Sequence, residues 1–250
     1  MSYFNAPSAT ATAHENPAQE DERAFRQERA RLDFAANTVN HPIIASPIIQ
    51  TPGGERAIEI VFGHPGDTEK LRRWRIPKDH PAPDIARDAM EFGKLAGKRW
   101  RYYRHHDDAA PSLSELISRI ENRPQAEIGF LLVAKSTWKP APAILGLAWC
   151  RRTWCNHIVL DFLAAHPTTV GTVRGYAGVG TALLYSLAAV AGEIGSLLVW
   201  GEATSLSASF YQKVLGGTPI HDHFFIREDS LARMREELNL RSSQRDQSKV

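Results

Sequence analysis

The sequence predicts an α/β fold, and three observations carry that expectation. Short apolar runs bounded by turn residues alternate with stretches whose apolar positions recur at helical spacing. Two of the runs, Ile128 to Ala134 and Ala143 to Arg152, flank the turn-like Lys139-Pro140-Ala141-Pro142 and read as a hairpin. A glycine-rich turn opens a very apolar helix near Val179. With 250 residues the chain can build one substantial core with appendages. Its 43% apolar and 23% charged shares are ordinary for a soluble protein, and a formal charge of +2 gives no general attraction to nucleic acid or acidic membranes.

Taken in order, residues 1 to about 18 are rich in Ala, Thr, Ser, Asn and Pro and read as a disordered tail. Residues 19 to 32 carry mixed charges at helical spacing, as a solvated helix or arm does. Three prolines and two glycines mark His41 to Glu55 as a connecting loop, so residues 1–55 are expected to be peripheral. Ala57 to Phe62 reads as a strand, with Asp67 then capping a helix to about Arg75. Further helices are expected from Asp84 to Lys98 and from Ser112 to Asn122, the latter with Ser112 and Glu115 at capping-box spacing.

After the hairpin, Asn156 to Ala165 is the next strand, closed by His166-Pro167. Val179, Leu183, Leu187, Val190 and Ile194 form a helical stripe, and Ser196 to Ala203 is a strand. Leu206, Phe210 and Val214 mark a helix that Gly216-Gly217 ends. His223 to Arg227 completes the ordered part, residues 56–227; residues 228–250 are expected to be a helix and a basic disordered tail.

Cys150 and Cys155 read as reduced thiols of a cytosolic protein, with no second pair to complete a zinc site. His221, Asp222 and His223 are too sparse to argue for a metal, and none is expected. The absence of an apolar run near residue 1 points away from a signal peptide, and no stretch suits a membrane span. Lys98, Arg99, Arg101 and Arg104, interleaved with Trp100, Tyr102 and Tyr103, read as a solvated helix end, with nucleic acid as the minor alternative.

The chemistry centres on Arg174-Gly175-Tyr176-Ala177-Gly178-Val179-Gly180-Thr181. Glycines at a helix N-terminus let backbone N–H groups approach a pyrophosphate closely. No Lys-Ser/Thr follows, which excludes a P-loop, and the dinucleotide fingerprint lacks its third glycine.

Leu160 to Pro167 resembles the fourth strand of the GNAT superfamily of N-acetyltransferases. Gly175 to Gly180 is similar to that family's Gln/Arg-x-x-Gly-x-Gly/Ala loop, and Thr204 to Leu215 to its Asn-x-x-Ala…Tyr-Glu-Lys segment. The chain departs from the pattern at Gly175 and Thr204, in a longer loop after Pro167, and in an extra residue after Lys213. The resemblance implies a mixed, mostly antiparallel sheet with helices on both faces and splayed central strands. It implies acetyl-CoA as donor and direct attack by a primary amine. The pantetheine would pair with Leu163, Ala164 and Ala165, and the pyrophosphate would sit on the turn from Arg174 through Gly175, Tyr176, Ala177, Gly178, Val179 and Gly180 to Thr181. Thr204 and Tyr211 fall on donor-contacting positions, with Tyr211 the acid. Asp161 and Glu202 are the candidate bases, whereas His166 reads as a loop-closing residue. A non-catalytic acyl-CoA-binding module and an acetyltransferase acting on aminoacyl-tRNA are the alternatives. The acceptor pocket is expected from residues 67 to 125 and the loop after Pro167, and a dimer is open.

Overall fold

The computed structural model describes residues 43–171 and 175–247; the expected tail, the charged arm and Arg174 lie outside them. Before the hairpin come strands β1 (Ile43–Ala45), β2 (Ile48–Thr51), β3 (Gly54–Ala57) and β4 (Glu59–Phe62). Helices α1 (Pro65–Arg72) and α2 (Pro83–His105), the short β5 (Ala109–Ala110) and α3 (Leu113–Asn122) follow. The hairpin is β6 (Ile128–Lys135) and β7 (Ile144–Arg152), continued by β8 (Ile158–Ala165). The remainder is α4 (Val179–Glu193), β9 (Leu198–Glu202), α5 (Ala208–Val214), β10 (His223–Arg227) and α6 (Glu228–Gln247).

The main sheet has the order β1-β4-β6-β7-β8-β9-β10, and its pairings are antiparallel except β8 with β9 and β5 with β6. β6 and β7 lie at its centre, buried on both faces, which is why their sequences are near-continuous apolar runs. Alternate residues divide between two cores. Ile128, Phe130 and Leu132 face α3, α4 and α6, together with Leu116, Leu187 and Leu231. Leu131 and Val133 face α1 and α2, together with Leu71, Trp74 and Trp100. The fold is therefore of the expected class: a mixed, mostly antiparallel sheet with helices on both faces.

Local chemistry explains several boundaries. The α1 cap is His64, whose Nδ1 accepts from the Gly66 N–H at 3.1 Å; Asp67 is not the cap but sits inside the first turn, accepting from the His64 N–H at 3.3 Å. Asp67 is fully buried and is neutralised by Lys135 at 2.9 Å. α2 runs on to His105, beyond the expected end at Lys98, because Trp100 and Tyr103 continue its buried stripe of Ala86, Ala89, Gly93 and Ala96. Two of the aromatic residues among the basic ones are thus core residues, while Tyr102 is exposed. Ser112 caps α3 by accepting from the Glu115 N–H at 3.1 Å.

Three expectations need correction. The segment 43–55 is not a loop: β1 pairs with β4, and β2 and β3 form a hairpin around Pro52-Gly53. Its prolines lie at strand ends and in the turn, which strands tolerate. The two-residue β5 carries no periodicity that could announce it, yet pairs with Gly129 and Phe130 beyond the end of β4. Residues after Arg241 continue α6 to Gln247 instead of fraying at once.

Candidate active site

The site begins where two strands part. β8 and β9 pair in parallel only from Ile158–Val199 to Leu160–Gly201. The final rung brings backbones so close that a Cβ on Gly201 would lie 2.6 Å from the Leu160 carbonyl oxygen and 2.8 Å from the Phe224 ring. β8 continues to Ala165 with no β9 partner, so that edge presents unpaired backbone groups to the gap. The β7–β8 ladder also skips Asp161, pairing Leu160 with Cys150 and Phe162 with Trp149. Such a bulge bends and twists its strand.

The gap is met by the N-terminus of α4. Gly178 is its N-cap at φ +98°, a conformation that a side chain adopts only with strain. The first intrahelical donor is Ala182, to Gly178 O at 2.8 Å, which leaves the N–H groups of Val179, Gly180 and Thr181 outside the helical ladder. Among the described residues no side chain caps them and no acid occupies the first turn, which leaves the positive end of the helix dipole open to an anion. The turn is held from behind: Gln50 of β2 exchanges two backbone hydrogen bonds with Ala177, at 2.9 and 3.1 Å. The Ala177 N–H is thereby committed to Gln50, which removes it from the expected pyrophosphate donors.

These elements line one cleft of about 420 Å³. Leu163, Ala164 and Ala165 border it, as do Tyr176, Gly178 to Thr181, Thr204 and Tyr211. Tyr211 is 5% exposed and stacks on Phe224 with ring centroids 4.0 Å apart. Burial pushes its phenol well above the ordinary tyrosine value, with a smaller contribution from Cys150. Thr204 closes the turn into α5, its N–H donating to Ser207 Oγ at 3.0 Å. Lys213 is the one basic side chain among the described residues lining the cleft.

The other expected side chains lie elsewhere. Asp161 is not at the cleft; Arg151 Nε and Nη2 donate to its two oxygens at 2.6 and 2.9 Å. Arg151 also holds Glu127 at 2.7 Å, and Glu127 accepts from the Tyr103 hydroxyl, so Asp161 ends a structural polar chain. Glu202 is off the cleft as well, on an exposed strand end beside His223 at 3.5 Å. Neither carboxylate lines the cleft. The bulge at Asp161 and the short β8–β9 pairing, neither written in strand periodicity, account for the difference. Gly175 does not line the cleft. His166 accepts from the Thr168 N–H at 3.2 Å and packs edge-on against Trp74, closing the turn as expected. Its burial lowers the imidazole pKa to about 4.

The opposite wall comes from residues the sequence did not single out. Ile85, Asp88, Ala89 and Phe92 of α2 face the cleft together with Thr169, Val170 and Gly171. Positions 85, 88, 89 and 92 share one helical face, and a carboxylate on that otherwise apolar face was the available signal. Among the described residues, no group of three His, Cys, Asp or Glu is placed to share a metal ion. Nor is any described helix long and apolar enough to cross a membrane.

No protein-family model matches the chain, and no curated protein does. Among solved structures, it is similar to a nourseothricin acetyltransferase at 19% identity and TM-score 0.29, over 34% of this chain and 48% of that one. It is also similar to a PaiA N-acetyltransferase from Thermoplasma acidophilum in complex with coenzyme A, at 18% identity and TM-score 0.37, over 63% of this chain and 88% of that one. A GNAT-family acetyltransferase from Staphylococcus aureus Mu50 matches at 13% identity and TM-score 0.39, over 69% of this chain and 99% of that one. The chain thus spans under half the length of the first of these. At such scores the likeness bears on neither activity nor substrate.

Proposed function

We propose that the chain is an acyl-CoA-dependent N-acyltransferase, moving acetyl from acetyl-CoA to a primary amine by direct attack. One observation carries this reading: an unpaired strand edge, an uncompensated helix N-terminus and a buried phenol border the same cleft. The edge of β8 at Leu163 to Ala165 suits an amide-bearing pantetheine, added as a strand would be. The N–H groups of Val179, Gly180 and Thr181 suit a diphosphate, with Lys213 as a further cation on the cleft wall.

In the reaction a neutral amine nitrogen bonds to the thioester carbon and the carbon–sulfur bond breaks. The proton shed by nitrogen balances the thiol released. Tyr211 is assigned to the sulfur. A phenol raised this far stays neutral at any working pH, while a free thiol ionises near pKa about 8.5. Tyr211 therefore acts by donating a hydrogen bond to the developing thiolate and keeps its proton. Asp161 and Glu202 lie away from the cleft, so neither is assigned the ammonium proton, which is taken to leave to solvent before attack.

The test has two parts. Coenzyme A should bind in calorimetry equally well with and without a chelator. Incubation of acetyl-CoA with a panel of amines should release free thiol and an acetylated product seen by mass spectrometry. Failure of CoA to bind removes the donor assignment. Binding with no turnover on any amine leaves a non-catalytic acyl-CoA-binding module.

A further inference from the structure

The cleft has a second charged wall that the donor does not account for. Among the described residues lining it, Asp88 is the one carboxylate. It is half-buried on α2, and Ile85, Ala89 and Phe92 on the same face are apolar. Phe92 is fixed by stacking on Phe162 of β8, with centroids 5.5 Å apart. The cations near Asp88 along its helix are spent: Arg87 bonds Asp84 at 2.8 Å, and Lys94 bonds Glu91 at 2.8 Å. Asp88 itself makes no ion pair or side-chain hydrogen bond with the described residues, whereas Asp84, Glu91 and Asp161 are all paired. A carboxylate facing a cleft with an apolar surround and no partner is a site awaiting a cation.

The attacking amine is the poorer candidate for that cation. An ion pair with a carboxylate stabilises the ammonium form, and the nucleophile has to be neutral. We propose that Asp88 is a specificity-determining residue that binds a second cationic group of the acceptor, so that the substrate class is diamines and larger polycationic amines. The inference rests on the acetyl-transfer reading, because it takes the cleft to hold donor and acceptor together. Phe92 and Ile85 would cover the apolar segment between the two nitrogens, and the terminal amine, free of any carboxylate, would reach the thioester.

Putrescine and the matched monoamine butylamine test this, together with the isosteric Asp88→Asn variant. In calorimetry on the CoA-saturated protein, putrescine should bind at least roughly tenfold more tightly than butylamine, as expected for a partly desolvated charge pair. Asp88→Asn should erase that difference and leave CoA affinity unchanged. In turnover the loss should fall on KM for putrescine and leave kcat near the wild-type value. A wild-type protein with no preference for the diamine overturns the proposal, as does a preference that survives in Asp88→Asn. Both are read by binding, so they stand apart from the donor assignment, which fails only when CoA itself does not bind.

Discussion

The two walls of the cleft are built on different principles. The donor wall is made of backbone: the open edge of β8 and the first turn of α4 act through N–H and C=O groups that every residue but proline supplies. The wall proposed for the acceptor is made of side chains on one face of α2, where each residue matters for what it is. A backbone site tolerates substitution as long as its conformation is kept. Gly175 does not line the cleft, and Thr204 closes its turn through its backbone N–H. A side-chain site has no such tolerance, and under the proposal a single carboxylate, Asp88, would decide what it admits.

The sharpest way to break the comparison is at Tyr211, a donor-wall residue assigned a role through its side chain. Tyr211→Phe keeps the ring stacked on Phe224 and removes only the hydroxyl. Turnover should fall by roughly 10²-fold, the low end of what removing one hydrogen-bond donor to a developing anion costs, with CoA affinity and melting temperature nearly unchanged. Full activity in the Phe variant would make the donor wall a matter of backbone alone.

Gly178→Ala asks whether conformation is what the backbone site depends on. A Cβ there meets only Ile49, at an ordinary 3.7 Å, so space is not the obstacle; the φ of +98° is. The strain of roughly 1–2 kcal/mol should appear as an approximately tenfold loss of CoA affinity. An unchanged affinity in the folded variant would move the diphosphate away from this turn.

Asp161→Asn separates structure from chemistry. Breaking the partly buried pair with Arg151 should cost about 1–2 kcal/mol in denaturant unfolding. The rate and its pH profile should stay as in the wild type. An apparent pKa that disappears in the variant would restore Asp161 as the base.

The smallest effect belongs to His166. Its folded value of about 4 lies below the unfolded value of about 6.5, so the unfolded chain binds the proton first. The stability that the neutral ring contributes is complete above pH about 6.5 and is lost as pH falls toward 4. The gap in melting temperature between wild type and His166→Asn should narrow across that window. A constant gap would mean that the ring acts by packing on Trp74 alone.

Much of this was legible in the sequence, for reasons that differ by region. Apolar runs of strand length placed β6, β7 and β8 almost to the residue, because strands buried on both faces have little room for polar side chains. Gly178 and Gly180 announced the helix start, since few residues other than glycine accept its left-handed cap. Asp161 misled because strand alternation says which face a residue takes, not which partner waits there; Arg151 lies on the neighbouring strand. Asp88 stayed hidden because the helix carries several acids, and only its place on an otherwise apolar face sets it apart. The β2–β3 hairpin was masked by its prolines and glycines, which mark turns more strongly than four-residue strands mark themselves.

That hairpin also bears on where a working fragment of this chain could begin. Composition draws the boundary of the ordered part near Arg56, yet a piece starting there would be cut inside β3 and would lack Gln50. It would retain β4 and the strands beyond it, and so could still look folded by its secondary structure. The turn at Ala177 to Gly178 would have lost the strand that clamps it from behind. Such a piece would be a well-made sheet with an unanchored mouth, and a poor affinity for coenzyme A would then measure the missing clamp instead of the domain.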